Sequence, residues 1–270
     1  MTQRTLRLSD GATVAALDVG RGEPLLLIHG VGMNARAWAP QIADLSHDYR
    51  VIAVDMPGHG GSSPLPRGAG LRDYVAWAAR VIEALALGTV NVAGHSMGAL
   101  IATGLAVDCP ELLRRVAVLN GVHRRTAQAR AAVEARAAQI AAGDYDTEAP
   151  LARWFGPQDG AVRAQVAGWL RAVDPQGYAT AYDAFAKGDD VYADQWHRIT
   201  CPALVLTGDG DANSTPDMTC TMAASAPRGR AVVVRGHRHM VNLTAPDEVS
   251  RALGDWLKTP LMIERDGVRA

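Results

Sequence analysis

The sequence predicts an α/β fold: a mostly parallel central sheet of about eight strands, flanked by helices and carrying a helical insertion. Three observations point there. First, six short apolar runs recur along the chain, "PLLLIHG", "RVIAVD", "VNVAGH", "RRVAVLN", "ALVLTGD" and "RAVVVRG". Strands apolar on both faces belong to a parallel sheet covered by helices on each side. Second, segments of helical period separate these runs. Third, residues 122–197 break the alternation with no strand-like run. Sheets of this kind bind ligands outside the carboxyl ends of their strands.

The elements follow in order. Residues 4–19 read as an antiparallel hairpin, with Asp10-Gly11 as its turn between alternating apolar positions. Residues 71–87 place Tyr74, Trp77, Val81 and Leu85 on one helical stripe. Residues 97–108 and 247–257 also read as helices. The insertion begins Ala-rich and helical. It holds Trp154, Phe155, Trp169, Tyr178, Tyr182, Phe185, Tyr192 and Trp196, including both phenylalanines of the chain. Most of these aromatics are expected to form a small core of the insertion itself, and a few to face a pocket. The core would then comprise residues 1–121 and 198–270, with residues 122–197 as a cap over the carboxyl edge of the sheet. After Pro260 no pattern is visible.

Composition narrows the function. The chain has 270 residues, 48 % of them hydrophobic, enough for one sizeable core. Its 27 basic and 28 acidic residues leave a net charge of −1, which removes the electrostatic case for nucleic acid or an anionic membrane as partner. No apolar run is long enough for a membrane span, and the first residues lack the apolar core of a secretory signal. Cys109, Cys201 and Cys220 are odd in number and far apart, fitting neither a disulfide framework nor a zinc site. The expectation is a cytoplasmic protein with a small-molecule substrate and no metal or cofactor.

The chemistry centres on "NVAGHSMGAL". A strand leads into Gly94-His95-Ser96-Met97-Gly98, and a helix follows. So sharp a strand-to-helix turn leaves no room for large side chains at its flanks, which explains a glycine on each side. It presents Ser96 at the tip, near the positive end of the helix dipole. A plain helix cap would need neither glycine nor strand. A serine nucleophile needs a histidine to take its proton and an acid to orient that histidine. In this kind of fold the order is serine, acid, histidine. "ALVLTGDGDANSTP" offers Asp209 and Asp211, and "RAVVVRGHRHMVNLTAP" offers His237 and His239. The strand before residue 121 ends in Asn120, so no acid stands there.

With these motifs in order, the chain resembles the α/β-hydrolase superfamily, in its capped, serine-esterase-like branch. "LLLIHGVGMNARAW" is similar to that family's oxyanion-loop stretch, "VIAVDMPGHGGSS" to its strand-4 turn, "GHSMG" to its elbow, and "GHRHMVNLTAPDEV" to its histidine loop. The resemblance implies Ser96, Asp211 and His239 as the catalytic residues, with the N–H groups of Val31 and Met97 as the oxyanion hole. His29, His95, Trp154, Phe155 and Arg124 are candidates for the substrate pocket. It implies hydrolysis of a small carboxylic ester or lactone through an acyl-enzyme. The alternatives are a C–C hydrolase of vinylogous diketones, an amidase, a cofactor-independent oxygenase, or a ligand receptor on the same fold.

Overall fold

The computed structural model describes residues 2–144 and 146–261. Eight strands, β1 (Thr2–Arg7), β2 (Thr13–Val19), β3 (Pro24–Ile28), β4 (Arg50–Val54), β5 (Val90–His95), β6 (Leu113–Leu119), β7 (Ala203–Gly208) and β8 (Gly229–Val234), form one sheet in the order β1-β2-β4-β3-β5-β6-β7-β8. The expected hairpin is β1–β2, paired from Thr2 with Asp18 to Arg7 with Thr13. β2 runs antiparallel to β4, and the remaining pairs are parallel. The chain passes from β3 to β4 on one side, then returns to place β5 on the other. The loops after β3 and β5 therefore diverge at the switch point where α/β sheets bind ligands.

Side chains of the central strands alternate between two apolar layers. Leu26, Ile28, Val116, Val118 and Val205 face one layer, and Leu25, Leu27, Ala117, Leu119 and Leu206 face the other. The second layer is covered by α1 (Ala39–Leu45) and by α9 (Val241–Thr244) and α10 (Pro246–Leu257), through Ile42, Val241, Leu253 and Trp256. The first is covered by α2 (Leu71–Leu85), α3 (Met97–Asp108) and α8 (Pro216–Ser225). The α2 stripe of Tyr74, Trp77, Val81 and Leu85 is buried as its spacing predicts. One run behaves otherwise: β8 is an edge strand with most of its residues exposed, because only β7 pairs with it.

Between β6 and β7 come α4 (Ala127–Ala141), α5 (Glu148–Trp154), α6 (Gly160–Ala172) and α7 (Pro175–Ala186). These helices have no separate core, contrary to the expectation from their aromatics. Phe155, Tyr178, Phe185, Tyr192 and Trp196 are buried in the same apolar layer as α3 and the sheet. The reason is amphipathicity: α4 buries only Ala137 and Ile140, too little to support an independent domain. Of the tail after Pro260, only Leu261 lies within the described residues. All three cysteines are free.

Candidate active site

Ser96 stands between β5 and α3 with φ 55° and ψ −113°. A non-glycine residue holds such a conformation only where its surroundings enforce it, and such strain clusters at functional sites. The enforcement is visible on both sides. A Cβ on Gly94 would come within 1.9 Å of the Gly98 carbonyl oxygen, and one on Gly98 within 2.1 Å of the Ile28 carbonyl oxygen. The elbow therefore closes tightly against itself and against the end of β3. The Ser96 N–H donates to Leu119 O at 2.9 Å, tying the elbow to β6.

Asp211 and His239 meet after β7 and β8. His239 Nδ1 donates to Asp211 Oδ2 at 2.8 Å, and both side chains are buried. Asn120 Nδ2 donates to the same oxygen at 2.8 Å, and the Asn213 N–H donates to Asp211 Oδ1 at 2.8 Å. Burial pushes the Asp211 carboxyl up, but the His239, Asn120 and Asn213 contacts outweigh it and hold the carboxyl below its ordinary range. Asn120 is itself fixed: Ser214 Oγ donates to its carbonyl at 2.6 Å, and Thr207 Oγ1 donates to Ser214 O at 2.7 Å. With Nδ1 protonated, His239 keeps Nε2 free to take a proton. Ser96 Oγ makes no hydrogen bond to Nε2 among the described residues; catalytic bonds of this kind commonly tighten only with substrate in place.

The rival residues have other partners. Asp209 Oδ1 accepts the Gly236 N–H at 2.8 Å, and His237 Nδ1 bonds Thr244 Oγ1 at 2.9 Å. Both shape the histidine loop, and neither bonds to Asp211 or His239 among the described residues.

The loop after β3 is braced by two buried imidazoles. His29 Nε2 accepts the Met56 N–H at 2.9 Å while its Nδ1 donates to Gly30 O at 2.8 Å. His59 Nε2 accepts the Gly32 N–H at 2.9 Å while its Nδ1 donates to Pro57 O at 3.0 Å. Burial lowers the His29 pKa to about 4 and the His59 pKa to about 3, so both stay neutral and keep one acceptor nitrogen. Asp55 adds two bonds, accepting the Ala35 N–H at 2.7 Å and the Gly61 N–H at 3.0 Å. Within the loop so held, the Val31 N–H has no acceptor among the described residues. Neither does the Met97 N–H, in the first turn of α3. Two buried donors without acceptors beside a strained serine are what an oxyanion needs.

The pocket candidates divide. Trp154 is half-buried and stacks on His239, with ring centroids 5.7 Å apart, so it lines the site. Phe155 instead is buried in the apolar layer, because the chain turns inward after α5. His29 is fully buried and braces the loop through its bond to the Met56 N–H. His95 points its Nε2 at the His239 carbonyl, 2.8 Å away, and is likewise internal. Arg124 turns outward with φ 49° and pairs with Asp194 in solvent; its neighbour Arg125 is the one that turns in. Asn120 and Asn213, which hold Asp211, are the site residues that the sequence did not assign, and His95, expected at the pocket, instead bonds the His239 carbonyl. An asparagine ending the strand next to the elbow was the one visible signal.

The described residues hold no cluster of His, Cys, Asp or Glu suited to a metal ion, and no helix long and apolar enough to cross a membrane.

The chain matches the description "Alpha/beta hydrolase family" over residues 25–252. It is 53 % identical over 261 residues to the (E)-2-((N-methylformamido)methylene)succinate hydrolase of Acinetobacter baylyi, covering 96 % of this chain and 99 % of that one. It is 28 % identical over 257 residues to the 2-(acetamidomethylene)succinate hydrolase of Mesorhizobium japonicum, covering 91 % of each. Among solved structures it superposes on the enol-lactonase of Burkholderia xenovorans with a TM-score of 0.85 and 25 % identity, covering 95 % of this chain and all of that one. Neither named succinate is an ester. The names of both relatives are those of hydrolases of methylene succinates and not of carboxylic ester hydrolases. The fold, its sheet order and these likenesses place the chain in the α/β-hydrolase family, as a hydrolase.

Proposed function

We propose that the chain is a serine hydrolase of conjugated, carboxylate-bearing small molecules, cleaving an acyl group from an acylaminomethylene dicarboxylate. The likeness that carries this is the 53 % identity, over almost its whole length, to a hydrolase of such a substrate. Ser96 Oγ attacks the acyl carbonyl as His239 Nε2 takes its proton. Asp211 holds the tautomer and stabilises the imidazolium. The Val31 and Met97 N–H groups receive the oxyanion, at about 3 kcal/mol for one such donor. The C–N bond then breaks. His239 returns the proton to the departing nitrogen, whose lone pair is conjugated through the double bond to a carboxylate. Water, deprotonated by His239, releases the acid and restores Ser96.

A dicarboxylate calls for cations near the site, and three lie on α4, on α5 and just before α4, around Tyr182 of α7. Tyr178 lies against Gly32 of the oxyanion loop, and Tyr182 packs edge-on against Tyr178 at 5.9 Å. Burial pushes the Tyr182 phenol up, while the charges of Arg136, Arg125 and Arg153 pull it down. These arginines are therefore neighbours of Tyr182, with Arg125 committed to Asp189, and Trp154 supplies an apolar wall over His239.

A second reading is hydrolysis of a C–C bond in a vinylogous diketone, where a conjugated carbon departs instead of nitrogen. It shares the serine, base and oxyanion hole, and the conjugated substrates of the relatives speak for it. The deciding experiment compares kcat/KM for (E)-2-((N-methylformamido)methylene)succinate, a vinylogous diketone acid and p-nitrophenyl acetate, with wild type and Ser96→Ala. The expected result is the formamide preferred by at least about 100-fold, with acid release lost in the variant. Preference for the diketone would replace this reading with the second, and preference for the simple ester would overturn both.

A further inference from the structure

We propose that His95 is a positioning residue: its Nε2–H, donated to the His239 carbonyl, sets the base against the nucleophile, and its ring braces the oxyanion loop. The proposal rests on the reading of Ser96 and His239 as nucleophile and base. It concerns how they are held, whatever the substrate.

His95 touches all three moving parts of the reaction. It directly precedes Ser96, so its backbone belongs to the elbow. Its Nε2 lies 2.8 Å from His239 O, and the two rings are 5.1 Å apart. The acceptor is a carbonyl, so the proton stands on Nε2 and Nδ1 carries the lone pair. On that other side, a Cβ built on Gly30 would come within 3.2 Å of His95 Nδ1 and 2.9 Å of Ser96 Cβ. The ring is thus wedged between the oxyanion loop and the histidine loop.

This bond complements that of Asp211. Asp211 fixes the His239 ring through Nδ1 and makes no bond to the His239 backbone. His95 fixes the backbone at the same residue. Together they give the imidazole two points of attachment, one referred to β7 and one to the nucleophile itself. A displacement of about 1 Å between reacting groups can cost about 100-fold in rate, so the second attachment has kinetic weight. Burial, with the neighbouring His239, lowers the His95 pKa to about 3. His95 therefore stays neutral when His239 becomes an imidazolium beside it. A cation there would oppose the charge that the reaction must develop.

The test uses a reaction independent of the natural substrate. A fluorophosphonate phosphonylates an activated serine: Ser96 Oγ bonds to phosphorus, fluoride leaves, and His239 takes the serine proton. Its second-order rate is followed by intact-protein mass for the wild type, His95→Leu and His95→Gln, each with a thermal unfolding curve. Leucine fills the space without a donor. The glutamine amide reaches about as far as Nε2. We expect His95→Leu to react about 30- to 100-fold more slowly while still folded. We expect His95→Gln to recover most of that rate. On whichever substrate turns over, kcat should fall in His95→Leu with KM within about twofold. If His95→Leu does not fold, His95→Asn replaces it. Its amide stops short at the Nδ1 position, so it should be slow where His95→Gln is fast. Equal rates for the Leu (or Asn) and Gln variants would overturn the proposal, as would a loss carried wholly by KM. A wild type that reacts with the fluorophosphonate but not with the formamide would overturn the substrate reading and leave this one standing.

Discussion

The carboxyl edge of the sheet and the helical segment between β6 and β7 build the candidate site in opposite ways. At the sheet edge the polar side chains that brace the site are buried and committed to a named partner: His29 to Met56, His59 to Gly32, Asp55 to Ala35 and Gly61, Asn120 to Asp211. In the helical segment the charged pairs are largely solvent-facing, as in Arg124–Asp194, Arg130–Asp190 and Arg163–Glu148. Buried polar groups are costly to disturb, whereas exposed pairs are worth little. The contrast teaches which half can change.

The sharpest break of that comparison is at the edge itself. Ser96→Ala and His239→Ala should each lower kcat by at least about 1,000-fold, as removal of a member of such a triad does. His237→Ala should keep most of the activity, since its ring bonds Thr244 and no catalytic candidate among the described residues. Steady-state rates on one substrate are sufficient. If His237→Ala proved the inactive one, the pairing of His239 with Asp211 would not be the working geometry.

Much of that edge was legible in the sequence because it is written in short motifs. Glycines at 94 and 98 are the only residues the elbow admits, and the order serine, acid, histidine follows from strand order, whereas the choice of Asp211 over Asp209 and of His239 over His237 rests on the family resemblance. The strands were legible because both faces are apolar, except β8, where an edge strand has the same composition as a buried one. The helical segment was not legible to the same degree. Arg124 and Arg125 are identical in type and adjacent, yet a positive φ at Arg124 sends one outward and the next inward. No periodicity encodes that turn. The bond from His95 to His239 spans 144 residues and depends on two loops meeting, which only the folded chain specifies.

The buried imidazoles give the next effect, on stability against pH. His29, His59 and His95 have folded-state pKa values lowered to about 4, 3 and 3, against 6.5 for the free side chain. Below 6.5 the unfolded chain binds protons that the folded chain refuses. Stability therefore falls as pH drops from 6.5 toward about 4, by up to about 1.4 kcal/mol per pH unit for each histidine. Asp211, whose pKa is lowered, adds a loss beginning near the ordinary carboxylate range, as its folded state then refuses protons too. Urea unfolding at pH 7.0, 6.0 and 5.0 should show a progressively lower midpoint. In His59→Gln, whose amide oxygen can still accept the Gly32 N–H, the dependence should flatten. A midpoint independent of pH over that range would mean the histidines are not held neutral.

The smallest effects lie in the helical segment, where neighbouring arginines allow a direct comparison. The Arg125 side chain is 5 % exposed, 3.0 Å from Asp189 Oδ1, and its guanidinium lies 4.4 Å over the Phe185 ring. Arg125→Ala leaves the buried Asp189 with only Arg130 and a backbone N–H, and should cost about 3 kcal/mol. Arg124 pairs with Asp194 in solvent, so Arg124→Ala should stay within about 0.5 kcal/mol. Its φ of 49° then decides the sign of one further change. Glycine adopts that conformation without steric cost, whereas alanine keeps the Cβ conflict of any L-residue. Arg124→Gly should therefore be more stable than Arg124→Ala, by up to about 1 kcal/mol in chemical denaturation. If the order is reversed, the left-handed turn at 124 is not what separates the outward arginine from the inward one.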